Sequence, residues 1–157
     1  SIVVLSPSGE VTARYDKKHL VPFGEYLPCR PLLYPWLKFT GYLGGDFSAA
    51  EKVAPLIING SPVGAAICFE STFPGMMKER AKGTEFLLTV TNDAWFGRSA
   101  AAYQHLDAGV FRAIENRQYF IQAANTGFSA LIDPTGRILQ RSELNKRQIL
   151  TFQIPLR

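Results

Sequence analysis

A chain of 157 residues with 46% hydrophobic content is long enough for one domain with a buried core and too apolar to stay disordered. Its net charge of +4 comes from scattered Lys and Arg, with Lys17-Lys18-His19 the only tight group, which argues against nucleic-acid binding. The two cysteines, Cys29 and Cys68, show neither disulfide-framework nor zinc spacing, and no apolar run approaches the ~20 residues of a membrane-spanning helix.

The opening reads as a hairpin of strands Ile2 to Leu5 and Val11 to Tyr15 around a Ser6-Pro7-Ser8-Gly9 turn, which delivers Lys17 just beyond a strand end. No signal-peptide pattern precedes it, and a chain that opens directly on a strand reads as a piece of something longer. From Pro22 to Asp46 the sequence is rich in Pro, Gly and aromatics without sustained periodicity, the pattern of a long loop or lid with room for a short helix. Ala54 to Ile58 and Val63 to Cys68 flank Asn59-Gly60-Ser61-Pro62, a strong hairpin signal that sets Cys68 at the end of a buried strand. Pro74 to Lys82 reads as a short helix stopped by Gly83, and Phe86 to Thr91 as a buried strand ending at Asn92-Asp93. Leu106, Val110, Ala113 and Ile114 recur at helical spacing within Tyr103 to Asn116. Strands follow at Tyr119 to Ala124, Ser129 to Ile132 and, after the Asp133-Pro134-Thr135-Gly136 turn, near Ile149 to Ile154. Strands alternating with helices imply an α/β layered domain whose chemistry lies in loops at strand ends.

A free cysteine has a pKa of about 8.5, so a nucleophilic Cys68 needs a cation or a helix N-terminus to favour its thiolate. Lys17 is the candidate cation; it and the backbone N–H of Phe69 are candidates to hold the oxyanion of a tetrahedral intermediate. The plain alternative for a cysteine in an apolar strand is a small core residue.

Tyr15-Asp16-Lys17-Lys18-His19-Leu20 resembles the Tyr-x-Lys-x-His-Leu pattern of the carbon–nitrogen hydrolase (nitrilase) superfamily, and Cys68-Phe69-Glu70 its nucleophile motif. The His19 to Pro28 block is similar to that of the apolipoprotein N-acyltransferase family within it. So, in the same order, are Thr91 to Gly97, Gln104-His105, Arg112 to Arg117, Asn125-Thr126-Gly127 and Ile132 to Gly136. The resemblance implies the nitrilase-like α-β-β-α layered sandwich, with 1–157 as the C-terminal part of the domain, its N-terminal portion lacking, and 22–50 as a lid or membrane-facing loop. It implies no cofactor. It implies a ping-pong reaction in which Cys68 takes an acyl group from a phospholipid as a thioester and passes it to the α-amino group of an apolipoprotein's diacylglyceryl-cysteine, at the periplasmic face of a bacterial inner membrane. Carried over, Cys68 is the nucleophile, Lys17 (not Lys18) the oxyanion-positioning cation, and Glu25 a carboxylate that keeps that lysine charged and oriented. Glu70 matches the acid two places after the nucleophile.

Departures accompany the match. The family's general-base glutamate lies several dozen residues upstream of the lysine motif, and the acids preceding Lys17 here, Glu10 and Asp16, do not match it. A tyrosine common after the nucleophile is Phe69, and a proline common near Ser99 to Tyr103 is missing. A soluble amidase of the superfamily, or an inactive module without the base, are the rival readings. Phe69, Trp95 and Phe96 are candidates to line a substrate pocket, with core packing the alternative for the last two. His105 at a predicted helix start reads as structural rather than as a papain-like base, Asn92, Arg112 and Asn125 as scaffold, and Cys29 as a bystander. Leu32, Leu33, Tyr34, Trp36, Leu37, Phe39, Tyr42 and Leu43 form an apolar stretch that either packs as a lid on the domain's own core or faces a bilayer.

Overall fold

A computed structural model describes residues 1–40, 46–97 and 99–156. Tyr42 and Leu43, and with them the middle of the 22–50 segment, lie outside the described residues. The chain divides into two compact units, one made of Ser1–Tyr15 with Ala54–Arg157 and the other of Asp16–Val53.

In the larger unit, strands β1 (Ile2–Leu5) and β2 (Val11–Tyr15) pair antiparallel as the expected hairpin. A six-stranded sheet runs in chain order through β3 (Leu56–Ile58), β4 (Ser61–Ile67), β5 (Phe86–Thr91), β6 (Phe120–Ala124), β7 (Ala130–Ile132) and β8 (Ile138–Arg141). Its centre, β4-β5-β6, is parallel, while β3 and β7-β8 add antiparallel edges. The β3–β4 turn takes Asn59 and Gly60 at φ 49 and 82°, two consecutive left-handed residues whose twist matches that of the flanking strands.

Two helices occupy the parallel crossovers, α2 (Pro74–Ala81) and α3 (Ala101–Asn116), numbered after α1 of the smaller unit (Arg30–Leu37). They pack on one sheet face and on each other. The two-residue period of the strands divides the core accordingly. Ala66, Leu87, Phe120 and Ile132 meet Met77, Leu106 and Ala113 of the helices. Val63 and Ala65 point the other way, into a second cluster with Leu56 and Tyr15 of the hairpin.

At the C-terminus one expected strand is absent and one unforeseen strand is present. Residues 149–154 form no strand, and Ile149 is 94% exposed with nothing to pack on. The last strand is β8, whose residues are all exposed and show no apolar alternation; it exists because the Asp133 turn folds it back on β7. Asp133 Oδ1 accepts from the Thr135 hydroxyl at 2.6 Å and from the N–H groups of Thr135 and Arg137 at 2.8 and 3.0 Å, which fixes that turn.

The smaller unit holds α1, which carries Pro31 in its first turn and Pro35 inside. None of its residues is buried. Leu32, Trp36 and the following Phe39 stand 69, 77 and 82% exposed.

Candidate active site

Strand β4 ends at Ile67, and Cys68 opens a 3₁₀ turn, Cys68–Thr72, with its backbone left-handed at φ 53°. A non-glycine residue in that region costs of order 1–3 kcal/mol and persists only when its surroundings enforce it. The sharp turn lifts the cysteine out of the strand, and its thiol is free and half-buried. It is therefore not a core residue.

Three neighbours enforce the turn. Glu70, fully buried, accepts hydrogen bonds from the Ile67 N–H at 2.8 Å, from the Tyr15 hydroxyl at 2.7 Å and from the Arg80 guanidinium at 3.0 Å. The Ile67 bond is half of a capping box, satisfying a donor that the turn's start leaves open. Arg80 of α2 also donates to the Tyr15 hydroxyl and the Ala65 carbonyl, and its guanidinium lies over the Tyr15 ring. Burial, and next the hydrogen bond to Glu70, push the Tyr15 phenol well above its ordinary pKa. Glu70 is thus not a solvated acid; its carboxylate ties the turn to β2 and α2.

The second support is Ser71, also fully buried, whose hydroxyl donates to the Cys68 carbonyl at 2.9 Å and meets His105 Nε2 at 2.9 Å. His105 Nδ1 lies 3.0 Å from Asp93 Oδ1, which also accepts from the Thr91 hydroxyl at 2.7 Å. Gly127 makes room for this group, since a Cβ there would collide with the Asp93 carboxylate. The third support is Arg112, which donates to the Thr72 carbonyl at 2.9 Å. Arg112 and His105 are structural as expected, although His105 lies in the second turn of α3 rather than at its start.

Phe69 is exposed and meets Phe73 edge-on at 5.0 Å. Trp95 is exposed, whereas Phe96 turns inward onto the core and meets His105 edge-on at 5.8 Å. In the smaller unit Lys17 is buried, and its Nζ donates to both Glu25 oxygens at 2.7 and 2.8 Å. The Val21 N–H holds the same carboxylate at 2.8 Å. Residues that sequence reasoning passed over are Arg80, Ser71 and Asp93. Arg80 and Ser71 sit in no motif of their own; Asp93, inside the Thr91 to Gly97 block, was the one that could have been singled out. No group of three or more His, Cys, Asp or Glu suited to a metal ion occurs among the described residues.

Fold and cysteine turn together define a class of protein: the chain belongs to the carbon-nitrogen hydrolase family, whose profile matches residues 1–157. It is similar to the apolipoprotein N-acyltransferase of Geobacter metallireducens, 43% identical over 99% of this chain and 30% of that protein. That of Aquifex aeolicus is 39% identical over 96% of this chain and 34% of the relative. The chain therefore spans about a third of the length of these curated relatives. Among solved structures, a carbon-nitrogen hydrolase from Helicobacter pylori aligns with a TM-score of 0.66 at 17% identity, over 93% of this chain and 52% of that one. A mutant amidase from Nesterenkonia sp. AN1, with acetamide added covalently at its active-site cysteine, aligns with a TM-score of 0.61 at 22% identity, over 91% and 50%. These likenesses establish the fold as mixed α/β of the nitrilase type.

Proposed function

We propose that the intact protein is an acyltransferase that moves a fatty acyl chain from a phospholipid to the N-terminal amine of an apolipoprotein through a thioester on Cys68. The observation that carries this reading is the Cys68 turn: a free thiol on an enforced left-handed residue at a strand end. Supporting it are the 43% identity to a protein named apolipoprotein N-acyltransferase and the covalent cysteine adduct of the amidase that shares the fold.

In this reading the Cys68 thiolate attacks the phospholipid ester carbonyl, and the electron pair moves to oxygen. The Phe69 N–H and Lys17 stabilise that oxyanion, Glu25 keeping the lysine charged and aimed. Collapse breaks the ester C–O bond and releases a lysophospholipid, whose alkoxide takes up a proton. The acceptor amine then attacks the thioester, the C–S bond breaks, and the amine's proton passes to the general base, which the resemblance assigns to a glutamate with no counterpart in this chain. Glu70 anchors the nucleophile's turn and handles no proton. Exposed Phe69 and Trp95 face substrate, whereas Phe96 packs on the core against His105. The 22–50 segment serves as a membrane-facing arm at the periplasmic side of the inner membrane: Leu32, Trp36 and Phe39 are exposed beside Arg30 and Lys38, a composition that favours the bilayer interface. No helix among the described residues is long and apolar enough to cross a membrane.

The test is incubation of the intact protein with phospholipid and a diacylglyceryl-cysteine peptide. N-acylated peptide with stoichiometric lysophospholipid is expected. Free fatty acid, or ammonia from an amide substrate, without N-acylation would favour a hydrolase and sink the transferase reading.

A further inference from the structure

Asp93, His105 and Ser71 form a buried hydrogen-bonded series, in the order of a serine triad, that none of the proposed steps uses. Ser71 is fully buried, so no substrate carbonyl reaches its oxygen and it is not a second nucleophile. The series ends elsewhere: the Ser71 hydroxyl donates to the carbonyl of Cys68 itself at 2.9 Å. That carbonyl and the Phe69 N–H belong to one peptide group. A hydrogen bond accepted at the oxygen polarises the group and strengthens its N–H as a donor, by roughly 10–30% per bond in a chain of this kind.

We infer that Ser71, His105 and Asp93 are positioning residues that polarise the Cys68–Phe69 peptide, so that the Phe69 N–H becomes a stronger donor to the acyl oxyanion. The inference rests on the thioester reading above, which gives the Phe69 N–H that task. Each member is itself fixed. Ser71 carries a single hydrogen; with it on the Cys68 oxygen, His105 donates from Nε2 to the Ser71 oxygen and from Nδ1 to the Asp93 carboxylate, so the arrangement takes the ring with both nitrogens protonated and balanced by Asp93. A hydroxyl is a rotor, and a donor on its far side holds it toward the carbonyl. The ring is oriented in turn by Asp93 at Nδ1 and by the edge of Phe96, and Asp93 by the Thr91 hydroxyl and by the bond from its own N–H to Asn125 Oδ1 at 3.1 Å. The members come from the Cys68 turn, the 3₁₀ turn Asp93–Phe96 that follows β5, and α3, so the fold commits three elements to one carbonyl.

Two reactions of Cys68 separate this role from a merely structural one. Alkylation by iodoacetamide displaces iodide from carbon and develops no oxyanion. Acylation by a p-nitrophenyl ester forms the S–C bond through a tetrahedral oxyanion and expels p-nitrophenolate with the C–O electron pair. Both are measured on the intact protein for wild type, Ser71→Ala, His105→Leu and His105→Gln. Loss of one such hydrogen bond is expected to slow acylation about tenfold in Ser71→Ala and His105→Leu while alkylation changes less than about twofold. His105→Gln, which keeps a donor toward Ser71, is expected to stay within about threefold of wild type in both reactions. Parallel loss of alkylation and acylation, or no change in either, overturns the inference, as does a His105→Gln variant as slow as His105→Leu. If wild-type Cys68 is alkylated but never acylated, the thioester reading falls and the inference with it. Acylation that proceeds unchanged in Ser71→Ala overturns the inference alone.

Discussion

Replacing Arg80 with methionine tests what holds the Cys68 turn. Glu70 and Arg80 meet at 3.0 Å with side chains 0 and 4% exposed, so the carboxylate depends on this guanidinium for its charge balance. Arg80→Met takes the guanidinium at 3.0 Å away from the buried Glu70 carboxylate and strips a donor from the Ala65 carbonyl. Removing one partner of such a buried pair costs about 3–5 kcal/mol, a large part of the ~5–15 kcal/mol that holds a domain folded. With a urea m-value of about 2 kcal/mol per molar, the midpoint should fall by roughly 2 M. Urea unfolding followed by far-UV circular dichroism reads this directly. The double variant Glu70→Gln/Arg80→Met removes both charges, and should recover about 2 kcal/mol relative to the sum of the two single effects. A midpoint for Arg80→Met within about 0.5 M of wild type, or strict additivity in the cycle, would refute the claim that the pair is what anchors the turn.

Three further outcomes follow from the same geometry. The Tyr15 phenol, pushed up by burial and by Glu70, should stay protonated through about pH 10, the ordinary phenol value; its contribution to stability is complete below that pH and lost as pH rises through its folded value. Phenolate absorbance of wild type and Tyr15→Phe should then coincide up to about pH 10.5, and a smaller signal from Tyr15→Phe in that range would contradict this. Gly127→Ala drives a methyl into the Asp93 carboxylate and should cost about 1–3 kcal/mol, seen as a lowered Tm; an unchanged Tm would mean the loop yields freely. Trp36→Ser and Phe39→Ser each remove a large exposed apolar side chain and should weaken binding to anionic phospholipid vesicles about tenfold, whereas unchanged vesicle binding would remove the arm's membrane role.

The parts of the fold that local chemistry dictates were legible in the chain. β5 spans Phe86–Thr91 as the apolar run indicated, Asn59-Gly60 forms the expected turn, and α3 starts two residues before its predicted first residue. β8 was missed because an edge strand exposed throughout leaves no alternation to read; its partner and the Asp133 turn decide it. Ile149 to Ile154 misled for the converse reason, since β-branched residues do not make a strand without a neighbour. At the site, the Lys17–Glu25 pair lies within one segment, and the resemblance of the block around Glu25 is what pointed to it. The surroundings of Glu70 could not, because Tyr15 and Arg80 arrive from other elements and their convergence is a property of the sheet. The Ser71–His105–Asp93 series is equally non-local, and His105 revealed only that it was structural, not what it supports.

The central claim is that Cys68 carries the acyl group. Intact mass spectrometry of the protein after incubation with a phospholipid of defined acyl chains, without acceptor, tests it most directly. The account requires one added acyl group, mapped to Cys68, labile to hydroxylamine, absent from Cys68→Ala and lost when a diacylglyceryl-cysteine peptide is added. A protein that turns over phospholipid with no adduct at Cys68, or whose adduct survives the acceptor, would contradict it.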